Sequence, residues 1–193
     1  VITGVTVAAR NPGSWGNDLR VAIIDGKVDQ VLSGVDVASP EGAAAIVVGS
    51  GVTQAISSVL PGAGSTSVLD GHLKGIVTEV TTTTIGVKVL SHVAANGTET
   101  EVDYQPSGIY KFGNTAVTIR NNAGSSTGTA TPTGNADWFD QQSISLTNSS
   151  INWNNLADRP GTSSFAAARN SRFDEMHVVV IDDEGKITGN AGT

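Results

Sequence analysis

The sequence predicts a mainly β, mixed α+β chain folded as two lobes, and three observations carry that expectation. Hydrophobic residues make up 38% of the 193 and charged residues only 15%, with 23 Gly. That balance suits strands and turns; a helical bundle would need more Glu and Lys on its faces. From His72 to Tyr104 the runs GIVTEV, IGVKVLSHV and TEVDY are rich in β-branched residues and partly alternate. From Asn121 to Asn135 the chain is Gly, Ser, Thr and Asn with almost no hydrophobes, and aromatics follow at Trp138-Phe139. Residues 1–27 and 136–193 are expected to form one discontinuous lobe, a mixed β-sheet with one or two short helices. Residues 28–135 form an inserted β-rich lobe.

Leu19–Asp25 (LRVAIID) is a short apolar run of the kind that makes a buried strand, and Asp25-Gly26 supplies a hairpin-type turn into Val28–Leu32. Ser39-Pro40-Glu41 starts a helical turn through Ala45. Ala44–Leu60, broken by Gly49-Ser50-Gly51, reads as two strands, and Pro61–Ser67 as a flexible loop. Asn96-Gly97 marks a hairpin between strands. Ile109–Phe112 and Ala116–Arg120 read as further strands, and Asn121–Asn135 as a mobile loop. Ser143–Leu146 and Ile151–Trp153 form a hairpin about Asn148-Ser149. Ser163–Arg169 (SSFAAAR) is the best helix candidate, capped by Thr162 or Ser163. Met176–Ile181 (MHVVVI) is expected as a buried strand, turned back through Asp182–Gly185 into Lys186–Thr188.

Little in the chain points to chemistry. The net charge of -7 disfavours nonspecific nucleic-acid binding and an anionic membrane surface. There is no Cys, no apolar run of transmembrane length and no signal-peptide pattern. The first residue is Val and the one Met is Met176, so the chain is expected to lie inside a longer protein or to have lost a leader. His72, His92 and His177 share no ligand spacing, and each is read as structural. Asp182-Asp183-Glu184 could offer oxygens to Ca²⁺ but lacks the alternation of an EF-hand loop, so a solvated turn is expected. Gly62-Ala63-Gly64-Ser65 lacks the continuation of a phosphate loop. Asn96-Gly97-Thr98 and Asn148-Ser149-Ser150 match the glycosylation acceptor pattern but read as turns. No catalytic, cofactor or metal residues are assigned, and an enzyme is not expected.

Two corners stand out instead. Asn11–Asn17 (NPGSWGN) reads as a tight loop pinned by Trp15 in a core, and Arg159–Ser163 (RPGTS) as a second rigid joint. Trp138 and Trp153 beside apolar runs are also expected in core positions. Ala9–Asp25, Trp138–Trp153 and Asp158–Asp183, in that order, resemble segments of the tail sheath proteins of contractile-tailed bacteriophages, those of cyanobacterial phages above all. The resemblance implies an internal portion of a structural subunit that polymerises as stacked rings around a tail tube and contracts to drive the tube through the host envelope. It implies no cofactor. The implied partners are other sheath copies, with tail tube and baseplate reached through the full-length protein. Neither nucleic-acid binding nor membrane insertion is implied, and the fragment alone should be monomeric. The place is the virion tail, assembled in the host cytoplasm. The alternative is a phage or extracellular β-rich module that binds a receptor or carbohydrate.

Overall fold

Antiparallel backbone pairing builds nearly all the regular structure in this computed structural model, which describes residues 7–11, 13–35, 45–59, 68–120 and 127–193. The chain divides into two compact units, Val1–Lys27 with Phe139–Thr193, and Val28–Trp138. It is mainly β, with a single short α-helix among the described residues. The strands are β1 (Leu19–Asp25), β2 (Gln30–Ser33), β3 (Gly51–Ala55), β4 (Ser58–Val59), β5 (Val68–Leu69), β6 (His72–Val80) and β7 (Thr84–Val93). They continue with β8 (Glu99–Glu101), β9 (Val117–Arg120), β10 (Thr127–Ala130), β11 (Gly134–Asp137), β12 (Ser143–Ser145), β13 (Ser150–Asn152) and β14 (Met176–Asp182). Helix α1 is Ser164–Ala167.

In the second unit the sheet runs β10-β9-β3-β6-β7-β2-β11, with β8 also paired to β7. Its two edge strands, β10 and β11, are joined by only residues 131–133. Four residue steps span at most about 14 Å, so the sheet curls until its edges nearly meet. Register shifts between Lys74 and Gly75 and between Val77 and Glu79 sharpen that curl, as bulges do. Inside lie Leu32, Val52, Leu73, Val77, Ile85, Val87 and Val89, all fully buried. β4 and β5 form a separate two-stranded pair.

Ile109–Phe112 is not a strand. This stretch is apolar because Phe112 is fully buried in the same core. A Cβ on Gly75 would lie 3.0 Å from the Phe112 ring and 2.5 Å from the Lys88 carbonyl, so only Gly lets the ring sit there. Three amide side chains satisfy the backbone of that loop. Gln30 Nε2 donates to Phe112 O at 3.0 Å while Phe112 N–H donates to Gln30 Oε1 at 2.8 Å. Gln54 does the same for Gly113 at 3.1 and 2.7 Å and also reaches Thr115 O at 2.8 Å. Asn135 Nδ2 adds a bond to Phe112 O at 2.6 Å.

The first unit holds β1 paired with β14, the β12–β13 hairpin, α1 and three 3-10 turns. Its described pairs are all antiparallel, so the mixed sheet expected here is instead two antiparallel ribbons. Phe139, Ile144, Trp153, Ile24 and Ile181 are buried in it. Ser163 caps α1: its Oγ accepts from Ala166 N–H at 3.1 Å and donates to Asp174 at 2.6 Å. Beyond the end of α1 at Ala167, Asn170 with a φ of 54° lets Ser171 N–H return to Ala166 O at 3.0 Å.

Several expectations need correction. Asp25-Gly26 does not close a hairpin, because β1 pairs with β14 while β2 pairs with β7 and β11. Residues 127–130 and 134–135 of the expected mobile loop lie in edge strands, whose backbone pairing carries no apolar signal in the sequence. β11 therefore carries Ala136–Trp138 into the second unit. Trp15 is 37% exposed on a 3-10 turn, its ring packed against Gly13 of its own loop and not in a core. Trp153 is buried, and Trp138 half-buried. The helical turn expected at Ser39–Ala45 falls almost wholly outside the described residues, as do Pro12 and the loop Pro61–Ser67.

Phe112→Ala is expected to destabilise the protein by about 3–5 kcal/mol and Trp15→Ala by about 1 kcal/mol or less, read by urea unfolding. Equal losses would mean that Trp15 is a core anchor after all.

Candidate functional site

A two-stranded ribbon buries one face and leaves the other to solvent or a partner, and β1–β14 does this with apolar residues on both. In the register, Val21 faces Val180, Ile23 faces Val178 and Ala22 faces Val179. Ile24, Ile181 and His177 share one face, where Ile24 and Ile181 are buried and the His177 ring lies 6.3 Å from that of Trp153. Met176, Val178 and Val180 lie on the other face, between 54% and 58% exposed. The near-continuous apolar run MHVVVI hid this division, since both faces of β14 carry the same residue types.

Much of the ribbon's edges is unpaired among the described residues as well. Asp182 N–H points away from β1, to Thr193 O at 2.7 Å, and alternation aims the backbone groups of Val180 and Val178 the same way. No described residue takes those groups, nor the outward groups of Val21 and Ile23 on β1. Such edges are templates for a further strand.

The acidic run at the end of β14 is not a solvated turn. Asp182 and Asp183 are 3% and 6% exposed, and both carboxylates act as acceptors that hold the chain around them. Asp182 receives the N–H groups of Lys186, Ile187 and Thr188 at 3.1, 2.8 and 2.7 Å and the Thr188 hydroxyl at 3.0 Å, bending residues 185–193 into a hook. Gly192 N–H returns to Asp182 O at 2.8 Å. Asp183 receives Arg20 Nε at 2.6 Å and Thr147 through N–H and hydroxyl, both at 2.9 Å, which ties β14 to β1 and to the turn between β12 and β13. The Thr188 N–H lowers the Asp182 pKa, and the Arg20 guanidinium lowers that of Asp183. Lys186 reaches Glu184 and Asp18, which raise its own pKa.

The three His are not brought together as a site. His72 is exposed on β6, opposite Val93, while His92 lies opposite Leu73 and so on the other face. The His92 Nε2 pairs with the Asp70 carbonyl, and its ring lies beside Tyr110. Among the described residues no group of three or more His, Asp or Glu is placed to hold a metal ion. No helix among them is long and apolar enough to cross a membrane. Gly62–Ser65 lies outside the described residues.

Because both folded carboxyl pKa values are depressed, Asp182 and Asp183 stabilise the fold above the ordinary carboxylate pKa of about 3.9 and lose that contribution as pH falls through their folded values. The amide signals of Ile187 and Thr188 are expected to collapse toward random-coil shifts in that acid range, and at pH 7 in Asp182→Ala. Native shifts in that variant at pH 7 would remove Asp182 as the organiser of the hook. No protein-family model matches this chain, and neither a curated protein nor a solved structure shows a significant match.

Proposed function

We propose that this chain is part of a structural subunit of a phage contractile tail sheath, working in the virion through assembly with its own copies and carrying out no catalysis. The observation that supports the reading best is the β1–β14 ribbon, which has an apolar outer face and edges that, at Val21, Ile23, Val178 and Val180, no described residue pairs. A sheath subunit needs surfaces of that kind. Strand addition gives a neighbour many main-chain hydrogen bonds at little demand on sequence, while an alternating apolar face fixes the register. The sequence likeness adds to this, since two of the resembling segments, Ala9–Asp25 and Asp158–Asp183, contain β1 and β14. Contraction would load the subunit as a rigid body, and the Asp182–Asp183 junction ties β1, β14 and the β12–β13 turn together against such load.

A second reading, a receptor- or carbohydrate-binding module, is favoured by two exposed aromatics. Trp15 is 37% exposed, and Phe165 is 66% exposed with the Arg169 guanidinium 3.6 Å from its ring centre. Rings on a surface are the usual platform for a sugar face.

The subunit carrying this chain should form tubes or stacked rings in the electron microscope. Val178→Lys with Val180→Lys should abolish them while changing stability by no more than about 0.5 kcal/mol, since both side chains are more than half exposed. A wild-type subunit that never polymerises but binds a glycan array or cell surface would replace the sheath reading with the second one.

A further inference from the structure

The chain passes between its two units twice, after Lys27 and after Trp138. Asp29 lies just inside the first crossing and has its backbone and both carboxylate oxygens engaged within the β-rich unit. Its N–H donates to Val87 O at 2.9 Å, and its C=O accepts from Trp138 N–H at 3.0 Å, the last residue before the return crossing. Oδ1 accepts from Lys88 Nζ at 3.0 Å and Oδ2 from Val89 N–H at 2.8 Å. Asp29 is 3% exposed and Lys88 6%, and Val28 between Asp29 and the crossing is fully buried.

We propose that Asp29 is the pin of a two-strand joint: it locks both chain crossings, at Val28 and at Trp138, to the interior strand β7 and to each other. A buried ion pair alone would carry no such inference, because apolar residues often replace one without loss. The argument is the coincidence of four bonds on one residue, two of them backbone bonds that tie the outgoing segment to β7 and to the returning segment. This holds whether or not the chain belongs to a sheath.

Lys27 is exposed at the joint and offers trypsin a bond to Val28 that is cut only when the joint opens. In Lys88→Met the Asp29 carboxylate loses its cation while the stem volume is kept. Cleavage of the whole chain after Lys27 should rise at least about tenfold, with the sites at Lys74, Lys111 and Arg120 changing by less than about twofold. Cleavage after Lys27 that stays at the wild-type rate overturns the proposal. So does a rise shared equally by all four sites, which would make Asp29 an ordinary core element. Should Lys88→Met fail to fold, the wild-type Trp138 amide decides: hydrogen exchange as slow as that of the β7 amides supports the pin, and fast exchange overturns it.

Discussion

A strand at the edge of a sheet carries N–H and C=O groups that only water or another chain can satisfy, and that constraint governs both units. In the β-rich unit the sheet curls so far that β10 and β11, at opposite edges, are joined by three residues. What remains of its edges is short and built from Thr-Gly-Thr-Ala and Gly-Asn-Ala-Asp, segments with little apolar surface to attract a partner. The β1–β14 ribbon does the opposite. It is seven residues long and apolar on the face it does not bury, and among the described residues nothing pairs with its edges at Val21, Ile23, Val178 and Val180. Only at Asp182 is its outer edge closed, by Gly192 and Thr193. Among the described residues the chain thus contains one sheet with blunted edges and one with exposed, apolar ones.

That contrast also explains what could be read from the residues. β1, β6, β7 and β14 were legible because their apolar side chains pack, and Ser163 announced α1 through its cap. The Asn96-Gly97 turn between β7 and β8 was legible through Gly, whose φ there is 88°. β10 and β11 were not legible, because their pairing is carried by backbone groups that every residue has. Ile109–Phe112 misled for the opposite reason: its hydrophobicity serves burial of Phe112 without any strand pairing. Trp15 misled because a large ring can pack on its own loop as well as in a core. At the ribbon, the strands were visible but the open face was not. An apolar run reports that a strand forms, and cannot say which of its faces finds cover.

Buried polar groups give the β-rich unit its uniqueness. Without Gln54 the carbonyls of Gly113 and Thr115 would lose this donor, and without both Gln30 and Asn135 that of Phe112 would lose its two. An unpaired buried acceptor costs about 1–3 kcal/mol, more than the bond itself contributes net. The amides therefore act mainly against alternatives, holding the loop in the one place where its backbone is satisfied. Asp29 and Lys88 apply the same logic with charges, where the penalty for a wrong partner is larger.

Discontinuity raises a folding question that the same residue answers. Pairing β1 with β14 joins segments about 150 residues apart, a costly closure if made in an unfolded chain. The β-rich unit can form first, since its longest contacts are made within one continuous segment and β6–β7 is a local hairpin. Once Asp29 O has accepted the Trp138 N–H, the two ends of that unit are neighbours, and the effective loop between β1 and β14 shrinks to about 40 residues. By the logarithmic closure law this lowers the entropic cost by about 1 kcal/mol. A β-rich unit formed first would thus ease the closure of the β1–β14 pairing on either side of it in the sequence.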